Sequence, residues 1–227
     1  YARATSPNID RLATQGVRFS QASAQYTSTS PSVATLLTGM YPNTHNMVSV
    51  RTLLPMHLTT LAEALGAAGL RTSAVVSNPN LARAFQFDQG FEDYDEAYKK
   101  GSKQHGDVIT DRATAWLRAH GQAPFFLYVH YLDPHSRYDP PAPFRDRFFG
   151  DSFSAQHAGL RLTLRKHGKG QISEDAVIEN GATDADRYVA RYDEEIATVD
   201  HEVGRLLDTL DREALSTNTL VVLTADH

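Results

Sequence analysis

The sequence contains no cysteine, which excludes disulfides, thiolate nucleophiles and cysteine-ligated zinc together. No apolar run approaches the roughly 20 residues of a membrane span, and no signal peptide precedes the first motif. Basic residues never cluster beyond pairs such as Lys99-Lys100, and 22 basic against 27 acidic side chains leave a net charge of −5. Neither a nucleic acid nor an anionic membrane surface is therefore an expected partner. What is present is 227 residues, 41% hydrophobic and 22% charged. A chain of that size buries about 70–75% of the surface its unfolded form exposes and needs no staple to fold.

Ser6-Pro7-Asn8-Ile9-Asp10 reads as a capped helix start, with Pro7 in the first helical position. Val17-Arg18-Phe19-Ser20 alternates like a strand. Pro31 to Thr38 is expected to be a helix that stops at Gly39, and Thr60 to Ala68 a second one stopped by Gly69. Arg71 to Ser77 reads as a buried strand and Asn78 to Lys103 as loop. A helix from Asp107 to His120 precedes Pro124–Leu132, a near-continuous apolar run expected to be covered on both faces. The turn Asp133-Pro134-His135 and a proline-rich extended loop follow. From Phe144 to Gly181 no period holds, and Lys166–Gly170 reads as a mobile insertion. Tyr188, Tyr192, Ile196, Val199, Val203, Leu206 and Leu210 mark one stripe of a long helix from Ala185 to Arg212, with charge on its other face. Thr219–Thr224 is expected to be a second buried strand. Strands alternating with helices, and polar residues at strand ends, indicate an α/β sheet with helices on both faces.

Three places could carry chemistry. Thr29 stands at the entrance of the Ser32–Thr38 helix, where free N–H groups and the dipole suit a phosphate or sulfate; the competing reading is that Thr29 or Ser30 caps the helix. Asp226-His227, behind an apolar run, offers two metal-ligand types, or a solvated acid–histidine pair. Asp133-Pro134-His135 repeats that pattern, or is a turn capped by its aspartate. His45 and His130 read as satisfied core histidines.

The order of these segments resembles the sulfatase family of the alkaline phosphatase superfamily. It is carried by Ser6–Ala13 with Gly16–Phe19, then Thr29-Ser30-Pro31-Ser32 to Gly39 with Tyr41-Pro42 and His45, then the Pro124–Pro141 strand and loop. Tyr192, Glu195, Asp200 and Gly204-Arg205 follow, and Thr219–His227 completes it. The resemblance implies an alkaline-phosphatase-like α/β fold with a mixed, mostly parallel sheet. It also implies a metal-dependent hydrolase of small sulfate or phosphate esters that uses Ca, Mg, Mn or Zn. Thr29 falls at the nucleophile position and also beside the metal, His135 at the substrate-contacting position, and Asp226 and His227 at a metal-ligand pair.

Two departures matter. Family members place Cys or Ser, any residue, Pro, any residue, Arg, where this chain has Thr29-Ser30-Pro31-Ser32-Val33. Threonine cannot become the formylglycine aldehyde, and neither Ser28 nor Ser30 has the spacing from Pro31. Direct attack by a threonine alkoxide remains, as in the phosphodiesterase, phosphonate-hydrolase and phosphoglycerol-transferase branches, and this favours phosphorus esters. Secondly, the chain opens on Tyr1, after the family's aspartate-bearing strand, and stops at His227. It is expected to be a single core, 1–227, cut at both ends and weakly active in isolation. The alternative is an inactive sulfatase-like fragment that binds an anion or a partner. Compartment and oligomeric state are not legible in these residues, and the Phe148–Thr183 insertion is expected to shape specificity.

Overall fold

The computed structural model describes residues 1–50, 52–98, 105–157, 159–165, 171–173, 176–178 and 181–227. Three parallel strands form its sheet, β1 (Arg71–Val76), β2 (Asp93–Glu96) and β3 (Phe125–His130), in the order β2-β1-β3. β1 is the centre because Thr72-Ser73-Ala74-Val75-Val76 is small, β-branched and buried throughout. Its alternate side chains serve two layers. Ala74 and Val76 pack with Val33 and Leu37 of α2 (Thr29–Thr38), with Tyr128 of β3 and with Phe87. Val75 packs with Ile109 and Ala113 of α5 (Gly106–His120), and with Leu127, Val129 and Leu206. The fold is thus a mixed α/β arrangement with helices on both faces of a parallel sheet.

The residues group into two compact units. One comprises Tyr1–Val17, His105–Asp107 and Leu132–Arg205; the other, which holds the sheet, comprises Arg18–Gln104, Val108–Tyr131 and Leu206–His227. In the sheet-bearing unit α2 ends at Gly39, whose φ of 68° is the left-handed turn that glycine makes without strain, and its N–H returns to the Thr35 carbonyl at 2.8 Å. A short helix α3 (Pro42–His45) follows, and α4 (Leu61–Ala67) opens on a complete capping box between Thr60 and Glu63. In the other unit α1 (Pro7–Gln15) starts at the expected proline, although Ser6 makes no side-chain capping bond. The long helix α6 spans Ala185–Arg212 as its stripe indicates.

Four expectations are corrected. Val17–Ser20 is not a strand: Val17 and Phe19 are 82% and 80% exposed, and alternation alone supplies no ladder partner. Thr219–Thr224 is not a buried strand either. Leu220 and Val222 are 88% and 76% exposed, and among the described residues no neighbouring strand pairs with it. Within the expected loop 78–103, Asp93–Glu96 forms β2, paired residue for residue with Ser73–Val76; its acidic composition hid a strand that β1 recruits. β3 is half-buried along its whole length, not covered on both faces, because it is an edge strand of this sheet. The Lys166–Gly170 expectation lies outside the described residues.

The charged face of α6 faces inward. Arg191, Asp193, Glu194, Glu195, Asp200 and Glu202 are all buried. Each carboxylate has a defined partner, which is the condition for burying charge at all. Arg3 pairs with Asp193 and, at 2.6 Å, with Asp151. Glu194 bonds Arg191 at 2.7 Å, and Glu195 accepts the Asp139 N–H at 2.6 Å. Asp200 binds the start of α1 and Glu202 bonds Arg205 at 2.7 Å. Tyr192, on the apolar stripe, is by contrast 43% exposed.

Candidate active site

In the sheet-bearing unit the C-terminal ends of β1 and β3 lie side by side, since Val76 and His130 are register partners. Ser77 fastens them further: its N–H and its hydroxyl both donate to the His130 carbonyl, at 3.2 and 2.7 Å. In parallel sheets this is the edge where functional groups gather.

Thr29 is the first residue of α2 and is buried, and its Oγ1 accepts a hydrogen bond from Asn78 Nδ2 at 3.3 Å. Asn78 follows directly on Ser77, so Thr29 is held at the end of β1. The capping reading for Thr29 or Ser30 does not hold. The N-cap is Ser28, with extended backbone and no side-chain capping bond. Ser30 donates instead to the Asn80 carbonyl at 3.2 Å and Ser32 to that of Tyr26 at 2.9 Å. The positive end of α2 thus keeps no side-chain cap of its own from Ser28.

At the end of β3, Asp226 and His227 act electrostatically on His130, and Asp226 also on Tyr128. Burial pushes the His130 imidazole down to about 4, with Asp226 opposing and His227 assisting that shift. Its Nδ1 is 3.0 Å from the Tyr128 hydroxyl. His130 therefore has the partner expected of a core histidine, yet it sits beside both candidate ligands. Within the pair, His227 N–H donates to Asp226 Oδ1 at 3.1 Å and Nε2 lies 3.8 Å from Oδ2. His45 is a buried structural histidine. Its Nδ1 accepts the Met47 N–H at 3.1 Å, so Nε2 carries the proton and donates to Thr35 Oγ1 at 3.0 Å.

His135 belongs to the other unit and is exposed. Its Nδ1 is 2.8 Å from the Ser136 carbonyl, which can only accept. The proton is therefore on Nδ1, and Nε2 is the nitrogen left for other chemistry. The same unit holds a cavity of about 740 Å³ lined by aromatic rings, among them Tyr138, Phe153, Tyr188 and Tyr192. The Phe148–Thr183 insertion contributes Phe153, Leu162, Gln171 and Ile172 to its wall.

Thr29 and Asn78 thus stand at the end of β1, and His130, on which Asp226 and His227 act, at the end of β3. Asn78 and the placement of His130 are what the residues alone did not reveal, although a polar residue directly behind a buried strand is the available signal. Asp226 and His227 supply a carboxylate and an imidazole, donors that suit a divalent cation. Among the described residues no cluster of three His, Asp or Glu side chains forms a metal site, so these residues fit part of one. No described helix is long and apolar enough to cross a membrane.

A family model described as Sulfatase matches residues 1–227. The chain is 26% identical over 196 residues to the N-acetylglucosamine-6-O-sulfatase of Bacteroides thetaiotaomicron, covering 78% of this chain and 35% of that protein. It is 24% identical to the multifunctional alkaline phosphatase superfamily protein PehA of Trinickia caryophylli, covering 98% of this chain and 57% of the relative. Among solved structures it resembles the phosphonate monoester hydrolase of Agrobacterium radiobacter, with a TM-score of 0.68 at 20% identity over 94% of this chain and 56% of that one. The chain therefore spans between about a third and somewhat over half the length of these relatives.

Proposed function

The chain belongs to the sulfatase family, and on that footing we propose that it acts as a hydrolase of small sulfate or phosphate esters with Thr29 as nucleophile. The observation that carries this reading is the Thr29 hydroxyl: it is buried at the start of α2 and oriented by Asn78 at the end of β1, next to the end of β3 where Asp226 and His227 act on His130. A threonine with a fixed hydroxyl suits direct attack, with no aldehyde required.

Thr29 Oγ1 forms a bond to the sulfur or phosphorus while the bond to the leaving alkoxide breaks. The proton of the Thr29 hydroxyl passes to the departing oxygen, so the alcohol leaves neutral. Water then releases the inorganic anion from Thr29 and restores the hydroxyl. Asp226 and His227, with Thr29 beside them, would hold a divalent cation (Ca, Mg, Mn or Zn), which would supply charge neutralisation for the ester oxygens. The route through a threonine alkoxide favours phosphorus esters over sulfates. The N-acetylglucosamine-6-O-sulfatase relative supports a sulfuric ester instead, so the test includes both ester classes.

Turnover of p-nitrophenyl sulfate, p-nitrophenyl phosphate and bis-p-nitrophenyl phosphate by the full-length protein with added divalent metal tests the reading. Thr29→Ala is expected to abolish turnover of whichever ester is cleaved. Retained turnover overturns the nucleophile assignment, and intact anion binding without turnover in the unaltered protein supports the inactive, anion-binding alternative.

A further inference from the structure

We infer that Asn78 is the positioning residue of Thr29, an inference that rests on the reading of Thr29 as nucleophile. The amide has one orientation available. Its Oδ1 accepts the Asn80 N–H at 2.9 Å, so Nδ2 is the end that faces Thr29 and donates to Oγ1 at 3.3 Å. Both side chains are buried, at 5% and 6% exposure, so water does not compete readily for this bond. A second tie runs parallel to it, from the Ser30 hydroxyl to the Asn80 carbonyl at 3.2 Å. The base of the pair is rigid too, because the preceding Ser77 is bonded twice to the His130 carbonyl at the end of β3.

The chemical consequence concerns the threonine's lone pairs. The amide proton occupies one of the two on Oγ1, which leaves the O–H and the other lone pair directed elsewhere, toward an incoming ester. Two constraints then fix the nucleophile. One is the β-branch of threonine, which stiffens χ1 by itself. The other is Asn78. Removal of either leaves the other in place, and removal of both frees the rotor. A purely architectural asparagine, needed only for the Asn78–Asn80 turn, has no such relation to the γ-methyl of Thr29.

A double-mutant cycle in the full-length protein separates these cases, with kcat and KM measured on the best p-nitrophenyl ester and Mn²⁺ added. Asn78→Ala is expected to lower kcat by about 10- to 100-fold, the order reached by small misplacements of a reacting group, with KM changed by less than about 3-fold. In the Thr29→Ser background the same substitution is expected to cost about 5-fold more, because serine lacks the stiffening branch. Asn78→Asp guards against misfolding: it keeps an oxygen for the Asn80 N–H and the side-chain size but removes the donor. Its cooperative thermal unfolding is expected to be retained, at a lower midpoint because a carboxylate is buried, and its kcat to fall at least as far as that of Asn78→Ala. Equal losses in the two Thr29 backgrounds, a change confined to KM, or full kcat in Asn78→Asp each overturn the inference. Retained turnover in Thr29→Ala overturns the nucleophile reading itself, whereas an inactive Thr29→Ala beside an unaffected Asn78→Asp overturns only the role of Asn78.

Discussion

The Asp200 carboxylate, on α6, accepts the backbone N–H groups of Asn8 and Ile9 at 3.2 and 2.8 Å, and so caps α1 from a distant part of the chain. Ser6, the local candidate, bonds only the Asp10 carboxylate, at 3.4 Å. A charged cap at a helix start gains from both the free N–H groups and the dipole. The approach depends on Gly204 one turn later, where an added Cβ would lie 2.6 Å from Asn8 Cγ.

Asp200→Ala is accordingly expected to lower stability by about 1–3 kcal/mol, since it leaves two N–H donors without their acceptor and the Asn8 amide with only the residue-200 carbonyl. Asp200→Asn is expected to lose less. Gly204→Ala is expected to cost about 1–3 kcal/mol by forcing α1 and α6 apart at the Asn8 contact. Urea midpoints for the three variants check this, and a neutral Gly204→Ala rules out the close-approach argument.

That cap shows what the sequence could and could not disclose. The helix start at Pro7, the αL stop at Gly39 and the 28-residue helix α6 are written in local signals, and each is found within a few residues of its expected place. Asp200 as the cap of α1, β2 as a strand and the buried charges of α6 all depend on partners far away in sequence. Asp93–Glu96 has no strand-like composition, and only β1 gives it a ladder. At the candidate site Thr29, Asp226 and His227 were singled out as candidates by the order of motifs. Asn78 was not, because its role is a hydrogen bond to a residue 49 positions earlier.

Arg3 lies between two carboxylates, Asp193 and Asp151, and under the rings of Phe148 and Phe153 at 4.9 and 4.6 Å. The Tyr1 hydroxyl also donates to Asp193, at 2.5 Å. Arg3→Met keeps much of the apolar packing but strands the buried Asp193 charge. It is expected to destabilise the protein by about 3–5 kcal/mol, the usual cost of breaking a buried pair from one side. The double change Arg3→Met with Asp193→Leu is expected to recover most of that loss in thermal melts. Failure to recover it places the cost in the cation–ring contacts.

Two histidines make stability depend on pH in the same direction. Burial holds His45 below its ordinary value, and His130 is pushed down to about 4 against 6.5 in the unfolded chain. Between those values the unfolded state binds the proton that the folded state refuses. The contribution is complete above pH 6.5 and is lost as pH falls toward 4. Denaturation midpoints of the metal-free protein are expected to fall steadily over this window, and His130→Gln is expected to flatten the slope. An unchanged slope in that variant assigns the effect to other groups.

Asp226 and His227 are adjacent in sequence, and the pair points its chemistry at one place only if both donors serve the same ion. Free of metal, His227 is near the Asp226 carboxylate and both act on His130. A divalent cation at this pair competes with protons for its ligand atoms, so its affinity is expected to rise with pH. Calorimetric titration of the full-length protein with MnCl₂ is expected to show that rise, and Asp226→Asn to weaken binding by about 10- to 100-fold or more, the range already reached when only outer partners of a ligand are removed. His130→Gln is expected to alter affinity much less, because His130 is engaged with the Tyr128 hydroxyl. If Asp226→Asn leaves Mn²⁺ binding unchanged, the cation sits elsewhere, and the carboxylate's role reduces to its electrostatic hold on His130 and Tyr128.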